Sequence, residues 1–533
     1  MKQIKKGNIY IIVAILILQL LLSLFIANKK DYLFFDEFFS YASANNIAID
    51  EAELPENEWL DKNWYLEYIS ASETHKFEYA IPYRNQVEDV HPPLFYFFLH
   101  TACSMVPGQF SYLAGVGFNI IFFLCSTVVL FLISKEVFAN DICALVISFL
   151  YAISYGGLNT MVFVRMYMLL TLMTLLHIYV YLRFFEKEEI SIKGCLLLML
   201  TLLGGVLTQY YFLFIAFWLG AWYTIRYILK RQYRNLTKYL VTVFGSAAIS
   251  MIIWPSMITH LFLGGRGQEA QSNLFSLDGY LPALKEMFRI LSNEMFTNLL
   301  PAILICLGIL LVISVIKKNS IDVKLWKRAA VIIFTCIGYY AVVSKAAPYL
   351  VERYMMPVYP LVYLLVVGAS YMLFAKFIPE KFAGVLCVIG FAGLSIIHIV
   401  HSGVPYTFEK NQNNVERHEI VEQYQDNYAL YISDNKGAHF FDAVQILKEY
   451  KGYYYVYNLE NTENVKADMD ILRDEAHVMV YVKDKRTIEE ADAFISMVFP
   501  GCTLNDDSLI DIDEKWNVYF LEIDSLIENG VKE

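Results

Sequence analysis

The sequence predicts an α-helical polytopic membrane protein of about 11 transmembrane helices, followed by a C-terminal extracytoplasmic α/β domain. Three observations carry this. Of 533 residues, 57% are hydrophobic and 16% aromatic, whereas globular domains hold roughly 45–50% apolar residues even with glycine counted. Only 18% are charged, and they collect between long apolar runs, as happens where about 20 apolar residues cross a hydrocarbon core. Near residue 403 the composition turns polar and strand-like segments begin to alternate with helix-like ones. The net charge of −11 excludes nucleic acid as a partner, because no basic stripe is available to neutralise phosphates.

Lys2, Lys5 and Lys6 precede an apolar run from Ile9 to Ile26. That run is too long for a signal-peptide core and no small-residue cleavage site follows, so it reads as an uncleaved first span. Further spans fall near 112–134, 141–157, 166–184, 194–209, 210–229, 239–257, 297–316, 329–346, 354–374 and 381–400. Lys and Arg gather in cytoplasmic loops. Arg226, Lys230, Arg231, Arg234 and Lys238 mark one such loop. Lys317, Lys318, Lys324, Lys327 and Arg328 mark a second, and Lys376 with Lys381 a third. Alternation then puts the N-terminus in the cytoplasm and everything after about residue 402 outside. The long first loop, 28–93, carries 14 acidic residues against 5 Lys or Arg and also faces outward. The apolar stretch His91 to Val106 is short for a span and reads as a helix on, or dipping into, the outer membrane face.

The tail reads strand 427–433, helix 438–450, strand 452–458, helix 462–475, strand 477–483, helix 486–498 and strand 517–522. Such alternation suggests a small, partly parallel α/β domain. The expected division is therefore 1–402 for the transmembrane domain, including loop 28–93, and 403–533 for the soluble domain. The eight cysteines lie mostly in apolar runs without metal-like spacing, and read as small apolar side chains.

Candidate chemistry gathers at the outward helix ends. Asp36 and Glu37 follow the first span within Phe34-Phe35-Asp36-Glu37-Phe38-Phe39. On a helix they would point about 100° apart and meet different partners. His91-Pro92-Pro93-Leu94 fixes an extended backbone ahead of the short apolar stretch. Arg165-Met166-Tyr167 opens a span, where an arginine is costly unless paired or snorkelling. Thr208-Gln209-Tyr210-Tyr211-Phe212 forms an outer turn, and Glu352-Arg353-Tyr354 opens a later span. Carboxylates and arginines at one outward interface suit group transfer from a phosphate-bearing lipid. A carboxylate takes the acceptor's proton, and arginines hold the departing phosphate.

In these residues, taken in order, the chain resembles the GT-C glycosyltransferases, specifically the family 39 group of protein O-mannosyltransferases and bacterial aminoarabinose transferase-like enzymes. The resemblance covers about residues 1–400. It implies a GT-C fold, Asp36 as catalytic base and Glu37 as a supporting or acceptor-site carboxylate. It places Arg353 and Arg165 near the donor phosphate, with His91, Tyr167, Gln209, Tyr210, Tyr211 and Tyr354 lining the substrate site. The sequence departs from the family at Val162-Phe163-Val164 and at Gln209, where many relatives carry a Gln-Glu-Ala type stretch and histidine. The expected partners are a polyprenyl-phosphate sugar donor, membrane lipid and an extracytoplasmic glycan, lipid or protein acceptor, with no cofactor and no metal. Two Asp-x-Asp strings, at Asp468-Met469-Asp470 and Asp511-Ile512-Asp513, read as surface acids. A transporter or flippase and a catalytically inactive GT-C scaffold are the alternative readings.

Overall fold

The computed structural model describes residues 6–46, 55, 57–276, 278–317, 323–433, 438–457, 459, 462–472, 475–483, 488–512 and 515–523. Of the positions used above, Lys2, Lys5, Lys318 and Asp513 lie outside these, as do residues 458, 473, 474, 486 and 487 of the expected tail elements. The chain divides into two compact units, one of Met1–Lys30, Pro82–Ala102 and Tyr112–Thr407, the other of Asp31–Ile81, Cys103–Ser111 and Phe408–Glu533.

The first unit is helical. All eleven apolar runs of the sequence fall on helices. Eight described helices are long and apolar enough to cross a membrane, or up to ten if each of two bent pairs is one span. The count is below eleven because Ile192–Thr208 and Leu300–Ile316 have only 17 residues each and the run 141–157 is broken by a bend. The protein is thus a multi-pass membrane protein.

Each bend has a local cause. Asp141–Ala152 and Tyr155–Val162 meet at 50°. Between them the Ser154 hydroxyl accepts from Gly157 N–H at 3.2 Å and so caps a new helix. Gly156 lets that new helix approach its neighbour, since a Cβ there would stand 2.7 Å from Met295 Sδ. Tyr280–Phe296 and Leu300–Ile316 meet at 81°. Thr297 and Asn298 take left-handed backbone there (φ 52° and 63°), which ends one helix. Pro301 sits in the first turn of the next.

Charges tie one set of helix ends together. Arg328 Nε donates to Glu186 at 2.9 Å and Arg328 Nη1 meets Glu136 at 3.2 Å. Arg226 approaches Glu186 at 3.6 Å and Arg183 approaches Glu136 at 3.7 Å. The charge pattern of the sequence likewise places these ends on one side. Leu94–Ser104, with 11 residues, is too short to span.

The second unit is built on a six-stranded sheet in the order β1-β3-β2-β4-β6-β5. Its strands are β1 (Trp59–Leu60), β2 (Tyr428–Ile432), β3 (Tyr453–Val456), β4 (His477–Lys483), β5 (Leu509–Ile512) and β6 (Trp516–Glu522). β2 runs parallel to both β3 and β4, while β6 is antiparallel to β4. β1, from the first loop, adds antiparallel to β3 with Trp59 opposite Tyr454. Parallel strands need cover on both faces. On one face Leu430, Ile432, Val478, Val480 and Val482 pack with Phe494 and Ile495 of helix Ile488–Val498. On the other, Tyr431 stacks on Tyr455 (5.7 Å), and Phe440 of helix Ala438–Leu447 covers Tyr455 (4.6 Å).

Helix Ala438–Leu447 also grips the chain just after the first span. Gln445 accepts from Leu33 N–H at 2.9 Å and donates to Leu33 O at 3.0 Å. The ring of Phe441 lies 4.6 Å from Phe38 and 5.1 Å from Phe39. The first-loop helix Phe35–Asn45 is thereby fixed within this unit.

Candidate active site

Asp36 and Glu37 occupy the first turn of helix Phe35–Asn45, where carboxylates complement the helix dipole. Their side chains diverge, as adjacent helical positions require. Glu37 is fully buried, and its carboxylate accepts the Phe34 N–H at 2.8 Å, closing the helix start. Asp36 is half-buried, and its carbonyl accepts from the Ser40 hydroxyl at 2.9 Å. Both belong to the second unit. The other candidate residues belong to the first.

There, His91 and Arg165 come together. Arg165 lies in the extended break between Tyr155–Val162 and Tyr167–Val180, its N–H bonded to Phe163 O at 2.7 Å. Only 6% of it is exposed. Its Nη1 donates to the Tyr96 hydroxyl at 3.2 Å, and its Nη2 stands 3.4 Å from His91 Nε2. His91 Nδ1 stands 2.8 Å from Asp89 Oδ2. Burial raises the Asp89 carboxyl, but the His91 imidazole, hydrogen bonds and more distantly Arg165 outweigh it and hold the carboxyl down at about 2. The Gln86 amide, turned nitrogen-inward, donates to His91 O at 3.0 Å and to Asp89 Oδ2 at 3.3 Å.

Tyr210 enters a neighbouring cluster. Its hydroxyl accepts from Trp254 Nε1 at 2.9 Å and meets His260 Nδ1 at 3.0 Å. His260 Nε2 reaches Val87 O at 3.2 Å, so this cluster is tied to the segment that carries Asp89 and His91. Gln209 is buried and its side-chain oxygen accepts the Tyr210 N–H at 2.6 Å, which shapes the turn. Tyr211 packs on Tyr354 at 5.0 Å, and the Arg353 guanidinium lies over the Tyr354 ring at 5.6 Å. Glu352 accepts from the Tyr406 hydroxyl, and Tyr406 stacks at 3.8 Å on Phe163, beside Arg165 in sequence. The buried Tyr167 stacks on the same Phe163 ring, at 5.8 Å.

Sequence reasoning missed Asp89, Tyr96, Trp254, His260 and Tyr406. Asp89 stands two residues before His91, a spacing that marks a carboxylate able to orient the ring. Nothing in the sequence pointed to the rest. Among the described residues no group of three or more His, Cys, Asp or Glu converges as a metal site would. The Asp468 carboxylate accepts from the Tyr454 hydroxyl at 2.7 Å, which gives the first Asp-x-Asp string a role within the sheet domain.

A buried arginine is thus held by a tyrosine and an Asp–His pair within the helical unit. No family model matches the chain, and no curated protein sequence does. Among solved structures, the chain is similar to ArnT from Cupriavidus metallidurans bound to undecaprenyl phosphate. That likeness has 10% identity, covers 97% of this chain and 98% of that one, and has a TM-score of 0.49. It is also similar to the archaeal oligosaccharyltransferase AglB from Archaeoglobus fulgidus, in complex with an inhibitory peptide and a dolichol-phosphate. There the identity is 11%, the coverage 93% of this chain and 71% of that one, and the TM-score 0.47.

Proposed function

We propose that the protein is a glycosyltransferase that moves a sugar from a polyprenyl-phosphate donor to an acceptor outside the cytoplasm. The observation that carries this is Arg165, a permanent cation buried among apolar residues at a helix break and held by Tyr96 and His91. A guanidinium at such a place presents a fork suited to phosphate oxygens. Arg353 supplies a second cation at another span start. In the reaction the acceptor oxygen bonds to the anomeric carbon as the carbon–oxygen bond to the phosphate breaks. The electron pair leaves with the polyprenyl phosphate, and the acceptor's proton passes to Asp36. A phosphate monoanion or dianion is stable once released, so no acid is needed to protonate the leaving group. Tyr167, Gln209, Tyr210, Tyr211 and Tyr354 shape the rest of the site in this reading. The positive-inside rule supports a cytoplasmic N-terminus, an outward site and an outward α/β domain.

The test is transfer by the purified full chain in liposomes, with cell-envelope extract as acceptor. Donors are a panel of polyprenyl-phosphate sugars and the matching nucleotide sugars. Transfer is expected from a lipid donor alone, and Asp36→Asn is expected to lower it by about 10²–10⁴-fold with expression intact. Transfer from a nucleotide sugar in strict absence of lipid phosphate overturns the donor assignment. Near-normal turnover of Asp36→Asn removes Asp36 from the mechanism.

A further inference from the structure

We propose that Asp89 is a positioning residue that fixes His91 as a neutral imidazole protonated on Nδ1, and through it fixes the guanidinium of Arg165. The inference rests on the reading of Arg165 as a donor-phosphate ligand, and it adds a residue and a protonation state to that reading.

The contacts select one form of the ring. An arginine side chain has only donors, so His91 Nε2, 3.4 Å from Arg165 Nη2, must offer a lone pair. The proton therefore sits on Nδ1, which faces the Asp89 carboxylate at 2.8 Å. The opposite tautomer fails at both ends, with an N–H against the guanidinium and a lone pair against the carboxylate. The imidazolium satisfies Asp89 but turns an N–H and a positive charge toward Arg165.

The arrangement is braced on each side. Gln86 holds both Asp89 and the His91 carbonyl. Pro92 and Pro93 restrict the backbone that follows, and the helix beginning at Leu94 carries the fully buried Tyr96. Tyr96 and His91 engage the two terminal nitrogens of Arg165, which sets the plane of the fork. One short stretch, Gln86 to Tyr96, thus aims an arginine that is distant in sequence.

Two measurements test this on the full chain in liposomes. Nitrogen-15 NMR of labelled histidine, with His91→Gln identifying the signal, is expected to show a protonated Nδ1 and a bare Nε2. Asp89→Asn can offer its amide to Nδ1 and so allow the opposite tautomer. It is expected to lower kcat/KM for the lipid-phosphate donor about 10²-fold, as a misplaced group does, with the acceptor KM unchanged. Asp89→Glu is expected to recover part of the loss. A proton on Nε2 or on both nitrogens overturns the proposal, and because that result comes from the wild-type protein it does not depend on how the variants fold. Wild-type donor kinetics in a folded Asp89→Asn protein overturns it too. In both cases the donor reading survives if Arg165→Ala still abolishes use of the lipid donor. Unchanged donor kinetics in Arg165→Ala sinks that reading and this inference together, even with the expected tautomer observed.

Discussion

Glu37 can be separated into a structural and a chemical carboxylate by two substitutions. Its side chain is fully buried and accepts the Phe34 N–H at 2.8 Å at the start of helix Phe35–Asn45. A hydrogen bond to a charged group contributes about 1.5–3 kcal/mol, and a carboxylate in the first helical turn adds about 0.3–1 kcal/mol through the dipole. Glu37→Ala removes both and should cost about 2–3 kcal/mol. Glu37→Gln keeps an oxygen able to accept the same N–H and loses only the charge, a cost of about 1 kcal/mol. For a unit of roughly 150–250 residues, each kcal/mol moves Tm by about 2–4 °C. The expected shifts are therefore roughly 5–10 °C for alanine and roughly 2–4 °C for glutamine. Thermal unfolding of the detergent-solubilised protein, followed by tryptophan fluorescence, reads these shifts, since Trp59, Trp64 and Trp516 lie in the same unit. Transfer is measured in parallel. Should Glu37→Ala retain its Tm, the capping account of its burial is wrong; should Glu37→Gln hold its Tm yet lose transfer by about 10²-fold or more, Glu37 takes part in the chemistry.

Other outcomes are open to measurement. Arg353→Ala should weaken use of the phosphate-bearing donor more than Arg353→Lys, because lysine keeps the charge but not the fork; wild-type donor kinetics in both would reduce Arg353 to its contact with Tyr354. A tag placed after residue 405 should be reachable from outside intact cells and one within 230–238 should not, and finding both on one side would refute the charge-derived orientation.

How much of this was legible in the sequence depends on how local each signal is. The apolar runs needed only composition and length, and each lies on a helix. The bends did not announce themselves, because Ile153-Ser154 interrupts a run only through the Ser154 cap, and Thr297 and Asn298 act through their backbone. The tail's strands were readable from β-rich segments, but β5 was not. The β1 strand is two residues long, sits in an acidic loop and forms only because β3 offers an edge. In the site, arginine in an apolar run was visible as a cost that demands a partner. Its partner Tyr96 and the Asp89 that backs its other partner, His91, were not, because tertiary contact supplies the first, and the second is one acid among 14 in its loop.

The pairing of Trp59 with Tyr454 sets an order of events during biosynthesis. About 400 residues separate the two strands, and at about 5–20 residues per second the earlier one waits roughly 20–80 s for the later. Through that interval the loop has no sheet to join. Once made, β3 presents a free edge to any extended chain until β1 arrives. A recombinant tail beginning after the last span would keep that edge permanently open and is expected to self-associate. Fusing the stretch around Trp59–Leu60 to it should restore a monomer.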